Sequence, residues 1–188
     1  LLYQDQGRYS EAEPLHRQAL AILREQLGEN HPHVATSLSG LALLYRAQGR
    51  YSEAEPLYRQ ALAIDREQLG ENHPSVATSL HNLAELYRAQ GRYGEAEPLY
   101  QQSLVIYREQ LGENHPHVAA SLNSLASLYD AQGRYAEAEP LYRQSLAIWR
   151  EQLGEDHPSV ATSLNNLAEL YRAQGRYSEA EPLHRQAL

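Results

Sequence analysis

Residues 49–90 read GRYSEAEPLYRQALAIDREQLGENHPSVATSLHNLAELYRAQ, and residue 91 begins a copy that differs at only a minority of positions. The tripeptide Gly-Arg-Tyr starts at Gly7, Gly49, Gly91, Gly133 and Gly175, each 42 residues from the last (49 − 7 = 42). A period held without slippage marks one supersecondary unit stacked on itself. The 188-residue chain therefore divides into a partial unit at 1–6, full units at 7–48, 49–90, 91–132 and 133–174, and a partial unit at 175–188. Composition agrees with copying: Cys, Met and Phe are absent, and Gly and Pro recur at regular places rather than in linkers.

Within the unit, Val76, Leu80, Leu83, Ala84 and Tyr87 follow the i, i+4, i+7, i+8, i+11 spacing of one apolar helical stripe. This predicts a helix A over Pro74–Gln90, stopped by Gly91, which enters the left-handed conformation without a Cβ penalty. Ala96, Leu99, Tyr100, Ser103, Leu104 and Leu111 predict a helix B over Glu95–Leu111, ended by Gly112. Ser10 with Glu13, Ser52 with Glu55, and Ser178 with Glu181 fit the S-x-x-E capping box. Gly94 and Ala136 replace that serine, which predicts a weaker helix start, by about 0.5 to 2 kcal/mol for Ala and less for Gly. Counted from this cap, Pro56 falls in the first turn, where a missing amide costs little. The turn Gly70-Glu71-Asn72-His73-Pro74 offers two caps for helix A, Asn72 (Asp156 in the fourth copy) or His73, ahead of a first-turn Pro. Connections this short predict antiparallel helix hairpins. Nine helical segments are expected, counting a fragment at Leu1–Gln6 and a partial helix B at Ser178–Leu188.

The arrangement Leu80-x2-Leu83-Ala84-x2-Tyr87, Gly91-x-Tyr93, Ala96-x3-Tyr100 resembles the tetratricopeptide repeat across essentially the whole chain. Two features depart from that pattern: Leu80 stands where the family often has Trp, and the unit is longer than the family's roughly 34 residues. The longer unit, with E-A-E-P-L, L-G-E-D-H-P and N-N-L-A (Asn165 to Ala168), is similar to the repeats of kinesin light chains and their bacterial relatives. The resemblance implies an all-α fold, a right-handed α-solenoid superhelix of antiparallel helix pairs whose concave wall is lined by helices A. It also implies a cytoplasmic scaffold that binds an extended peptide or partner protein there, with Asn side chains gripping peptide backbone. Asn82 and Asn166 hold the position before the Leu-Ala pair, and Gly40 and Ser124 replace it in the other copies. The carboxylate clamp of chaperone-binding relatives needs Lys, Asn and Arg where this chain has His81, Glu85, Asn165 and Glu169.

Positions that differ between near-identical copies are those that repeat stacking does not dictate. On helix A they are Ser39/His81/Asn123/Asn165, Gly40/Asn82/Ser124/Asn166, Leu43/Glu85/Ser127/Glu169 and Arg46/Arg88/Asp130/Arg172. Offsets i, i+1, i+4 and i+7 keep them on one side of the helix, roughly opposite the apolar stripe. This makes Ser39, Arg46, His81, Asn82, Glu85, Arg88, Asn123, Ser124, Asp130, Asn165, Asn166, Glu169 and Arg172 the candidate peptide-binding residues; the bland alternative is a solvated face drifting freely. On helix B the variable position is Leu23/Asp65/Tyr107/Trp149. Tolerance of Asp predicts a half-exposed edge there, with Trp149 packing on the next helix rather than anchoring a partner.

A formal charge of −8 gives no footprint for a phosphate backbone, so nucleic acid is not an expected partner. No window reaches the roughly 18 apolar residues of a membrane span, and the first residues lack a signal-peptide pattern, so no membrane association is expected. His31-Pro32-His33 and His115-Pro116-His117 invite a metal reading, but no Cys or acidic cluster completes four ligands, and the recurring His reads as a turn residue beside the helix start. No copy is chemically unlike its sisters in the way a catalytic site requires, so neither an enzyme nor a cofactor is expected. The chain starts in the tail of a helix A and ends partway through a helix B, and so reads as an excerpt of a longer array. A second functional reading follows from those ends: a spacer or self-assembly module stacking end to end.

Overall fold

Gly91 shows how helix A stops. In the computed structural model, which describes residues 9–187, its φ is +73°, a conformation that a Cβ would strain. The Gly91 amide donates to the Arg88 carbonyl at 3.0 Å and the Arg92 amide to the Tyr87 carbonyl at 2.9 Å, the paired bonds of a Schellman motif. The described residues form nine helices: α1 Tyr9–Leu27, α2 Pro32–Ala47, α3 Tyr51–Leu69, α4 Pro74–Ala89, α5 Tyr93–Leu111, α6 Pro116–Ala131, α7 Tyr135–Leu153, α8 Pro158–Ala173 and α9 Tyr177–Gln186. The even-numbered ones are A helices and the odd-numbered ones B helices. No strand occurs among the described residues. The expected fragment at Leu1–Gln6 lies outside them, as does Leu188, so the expectation of nine segments, which counted that fragment, was one short: the units from Tyr9 onward supply nine by themselves.

The start of helix A goes to histidine. His73 takes the extended backbone of an N-cap, and its Nδ1 accepts a hydrogen bond from the Ser75 amide at 3.1 Å. His31, His115 and His157 repeat this on α2, α6 and α8. An accepting Nδ1 calls for a neutral ring with its proton on Nε2, and Pro74 follows as a first-turn residue that needs no amide partner.

The start of helix B differs from the capping-box expectation. Helix α3 begins at Tyr51, Arg50 is its N-cap, and no side chain caps it; Arg134 and Arg176 occupy the same place before α7 and α9. Ser52 thus lies inside the helix and Glu55 serves another partner. Gly94 and Ala136, also inside their helices, remove no cap. The earlier start moves Pro56 from the first turn into the second, where its missing amide leaves the Ser52 carbonyl without a helical partner. Both residues are exposed, so water meets that carbonyl.

The chain divides into two compact units, residues 1–99 and 100–188. In the first, α2 lies against α1 and α3, α4 lies against α3, and α2 also meets α4. Its interior is built from Val76, Ala77, Leu80, Leu83, Ala84, Leu86 and Tyr87 of α4 against Ala54, Tyr58, Ala61, Leu62 and Ile64 of α3, all buried. The alanines, fully shielded, let the helix axes approach while Leu and Tyr fill the space between. In the second unit α6, α7, α8 and α9 follow one another in the same way. There Trp149, Leu183 and Ala187 pack against a core of Leu146, Val160 and Leu164.

Candidate partner-binding face

Among the described residues the Arg of Gly-Arg-Tyr is consumed by the scaffold. The Arg50 guanidinium lies over the Tyr45 ring, 4.1 Å from its centroid, and bonds Glu53 on its own helix and Glu13 on the preceding B helix, each at 2.7 Å. The Tyr45 hydroxyl donates to Glu13 at 3.1 Å and accepts from Arg17. Arg92 with Tyr87, Glu55 and Arg59 repeats the staple, as does Arg176 with Tyr171, Glu139 and Arg143. These donors hold Glu13 and Glu139 below the usual carboxylate range, Arg50 and Arg176 foremost. For Glu55, burial pushes the other way, and the bonds from Arg92 and Tyr87 prevail. This is the partner that draws Glu55 away from a capping role.

The variable residues of the A helices are mostly half-buried rather than fully solvated. In the first unit Glu85 stands between two cations, 3.0 Å from Arg88 and 3.6 Å from Arg46. In the second, the Asn166 side-chain amide donates to the Asn123 oxygen at 2.9 Å, bridging α8 and α6. Arg172 bonds Glu169, and His184 reaches Asn165 at 3.2 Å and Glu169 at 3.5 Å. Burial, then the charge of Glu169, raises the Asp130 carboxyl above its ordinary range. The arginines of this face are therefore each set beside a glutamate.

Between successive A helices lie small polar clefts. One is lined by Thr36 and Ser39 of α2, Ser75, Thr78, Ser79 and Asn82 of α4, and Asp65 of α3. The corresponding cleft of the second unit, 84 residues on, is lined by Ala120, Asn123, Ser124, Ser159, Thr162 and Ser163, with Pro158 at its edge and Trp149 where Asp65 stood. Ser39, Asn82, Asn123 and Ser124 are thus brought to these clefts, together with a helix B residue that the sequence reading placed elsewhere. Asp65 is 6% exposed and Tyr107 4%, so in those two copies the variable helix B position is buried rather than a half-exposed edge, whereas Leu23 and Trp149 are half-buried. A polar residue is tolerated there because the cleft supplies a partner: the Ser79 hydroxyl donates to Asp65 Oδ2 at 2.6 Å. Trp149 does pack on neighbouring helices, as expected, and lines the cleft as well. A second buried helix B residue of the first unit is Tyr58, whose hydroxyl finds no hydrogen-bond partner among the described residues. Burial, with a smaller opposing influence from Arg46, pushes its pKa up to about 12. The signal for the cleft floor was the variation Leu23/Asp65/Tyr107/Trp149 itself.

Wider grooves run between successive B helices, one flanked by Arg17, Arg24, Pro56 and Leu57 and another by Arg143, Arg150, Pro182 and Leu183. The second matches the first position for position after three periods (143 − 17 = 126), with the same residue types. These two grooves thus coincide in residue type, whereas the two A-side clefts do not. Among the described residues no group of three or more His, Asp or Glu converges as a metal site, and no helix is long and apolar enough to cross a membrane.

The tetratricopeptide repeat model matches residues 1–67, 41–109, 75–151 and 131–188. The crystal structure of BtubC (BKLC) from P. vanneervenii is 30% identical over 99% of this chain and 74% of its own, with a TM-score of 0.84. A Podosopora anserina kinesin light chain-like protein with nearly identical TPR-like repeats is 38% identical over 98% of this chain and 88% of its own, with a TM-score of 0.79. Aspartyl phosphate phosphatase F from Bacillus subtilis shares the fold, with a TM-score of 0.83 at 16% identity over 99% of this chain and 47% of its own. No curated protein sequence matches the chain. Period, Schellman turns, interlocking Ala and Leu, and the family match all agree, and the chain belongs to the tetratricopeptide repeat family, in its kinesin light chain-like form.

Proposed function

We propose that this chain is a cytoplasmic protein-interaction scaffold that holds an extended partner segment on the A-helix face of its units. The observation that carries the reading is a contrast between two surfaces: the two B-side grooves described above share the same residue types, while the two A-side clefts differ at Thr36/Ala120, Ser39/Asn123 and Asp65/Trp149. Residues free to vary over an otherwise copied scaffold are where recognition can be written. Asn82, Asn123, Asn165 and Asn166 present both donors and acceptors, which an extended backbone needs along its length. Asn123 and Asn166 at present satisfy each other, a bond that exchanges for partner amides at little cost. Arg46, Arg88 and Arg172, set beside Glu85 and Glu169, make the face mixed in charge rather than a receptor for strongly acidic segments.

The test is capture of a partner with the chain, mapping of the bound segment, and replacement of Asn82 and Asn166 together by Ala. Affinity is expected to fall with little change in the unfolding midpoint, while Glu67→Ala on the exposed side of α3 leaves both alone. Full affinity in the double variant would exclude the A face. If no partner is captured and the chain only associates end to end, the spacer reading replaces this one.

A further inference from the structure

The floor of the A-side cleft is the position where the copies differ most in chemistry: Leu23, Asp65, Tyr107, Trp149. Only the first unit's cleft has a charge at its base, and every group around that charge is polar. The way those groups spend their protons matters. The Thr36 hydroxyl donates to the Pro32 carbonyl at 3.3 Å and the Thr78 hydroxyl to the Pro74 carbonyl at 3.1 Å. Ser79 gives its proton to Asp65. With their protons directed elsewhere, the oxygens of Thr36 and Ser79 are acceptors beside a buried carboxylate, and Ser39, Ser75 and Asn82 of the same lining can each turn an oxygen toward a donor. Such a lining repels an anion and matches a group rich in donors.

We infer that Asp65 and the acceptor-lined cleft above it form a socket for the ammonium group of a lysine side chain on the bound partner segment. The cleft holds about 130 Å³, room for roughly four water molecules at about 30 Å³ each, which suits an ammonium and its last methylenes. A guanidinium is a broad planar fork that seeks both oxygens of one carboxylate, and a cleft of this size over the nearly buried Asp65 suits the more compact ammonium better. An ammonium instead takes three single acceptors in different directions, which the carboxylate and the ring of hydroxyls supply. A divalent cation wants several oxygen ligands, usually with more than one carboxylate, and only one carboxylate lines this cleft. The overall charge of −8 adds long-range attraction for a basic segment. Burial raises the Asp65 carboxyl above its ordinary range, and an ammonium seated on it relieves that penalty. In the second unit Trp149 and Ala120 replace Asp65 and Thr36, so that cleft lacks the carboxylate on which the socket depends.

This inference rests on the A face being the partner-binding surface, and the test separates the two. Two capped pentapeptides, Ala-Ala-Lys-Ala-Ala and its norleucine analogue, are titrated into the whole chain, and backbone amide shifts are followed by NMR. The expected result is a saturable shift at Thr78, Ser79 and Asn82 for the lysine peptide, at least tenfold weaker for the norleucine peptide. D65N and D65L should lose it at least tenfold; Leu23 already fills the same place in the first copy, so D65L puts in a residue type that the repeat carries there. Equal binding of both peptides on the A face, or binding unchanged by D65N, overturns the socket and leaves the face as a peptide site. Absence of saturable shifts at any A-helix residue with either peptide overturns both.

Discussion

Asp65 is nearly buried, and burial raises its carboxyl, with the Ser79 hydroxyl and His73 pulling the other way. In the unfolded chain the group titrates near pH 3.9. Below that pH both states hold the proton and no penalty arises; as pH rises past the folded value, the folded state carries a buried anion and loses stability. Asp65→Asn keeps an oxygen for Ser79 to bond, so it should raise the midpoint of urea unfolding at pH 7 and leave it unchanged near pH 3. With Asp65 as the floor of the lysine socket, the same variant becomes more stable and binds less, a trade between stability and function. Glu13, Glu55 and Glu139 have the opposite sign: their folded pKa values are depressed, so their contribution is present at neutral pH and is lost as pH falls through the acid range. The histidine caps allow a second check at this scale. His157→Ala removes the acceptor for the Ser159 amide and should cost about 0.5 to 2 kcal/mol, the range of a lost N-cap. His157→Asn, with an oxygen in reach of the same amide, should recover most of it.

For the helices, two substitutions probe different causes of the same hairpin. Gly91→Ala forces a Cβ into φ +73° and should cost about 1 to 2 kcal/mol through backbone strain alone, because open space surrounds the position. Leu83→Ala empties a site that is 4% exposed and should cost about 2 to 5 kcal/mol. Denaturant midpoints measure both, and a larger loss at Gly91 than at Leu83 would contradict this account. The extent of helix A, the end of helix B, the glycine stops and the apolar stripe were all legible in the sequence because each depends on residues close along the chain. The start of helix B was not. Ser52 and Glu55 have the spacing of a capping box, but Glu55 bonds Arg92, 37 residues on, and Arg50 stacks on Tyr45 across the turn. A charge-assisted bond made in three dimensions overrode a local motif. Asp65 misled for a related reason: its residue type suggested exposure, and the cleft that accommodates it comes from α2 and α4, which the sequence of α3 does not mention.

As a whole molecule the chain is acidic, with 24 acidic and 16 basic residues. Association with a lysine-bearing segment should therefore slow as salt is raised, because screening shortens the reach of the field from about 10 Å at 0.1 M to about 3 Å at 1 M. Stopped-flow association rates that ignore ionic strength would count against this. The Arg-Tyr-Glu staple has a wider consequence. Excising residues 49–90 joins Gln48 to Gly91 and leaves 146 residues (188 − 42). Arg92 then follows the same Gly that Arg50 followed, with Tyr45 beneath it and Glu13 in reach, so the new seam is chemically the old one. Such a deletion should fold with an unchanged helical spectrum. It also erases the single Asp floor and keeps those of Leu, Tyr and Trp. Copy number and floor residue are then separable, like the length of a word and the letters that spell it: whole repeats can be cut or duplicated without a scar, and each cut changes which side chains the array can read.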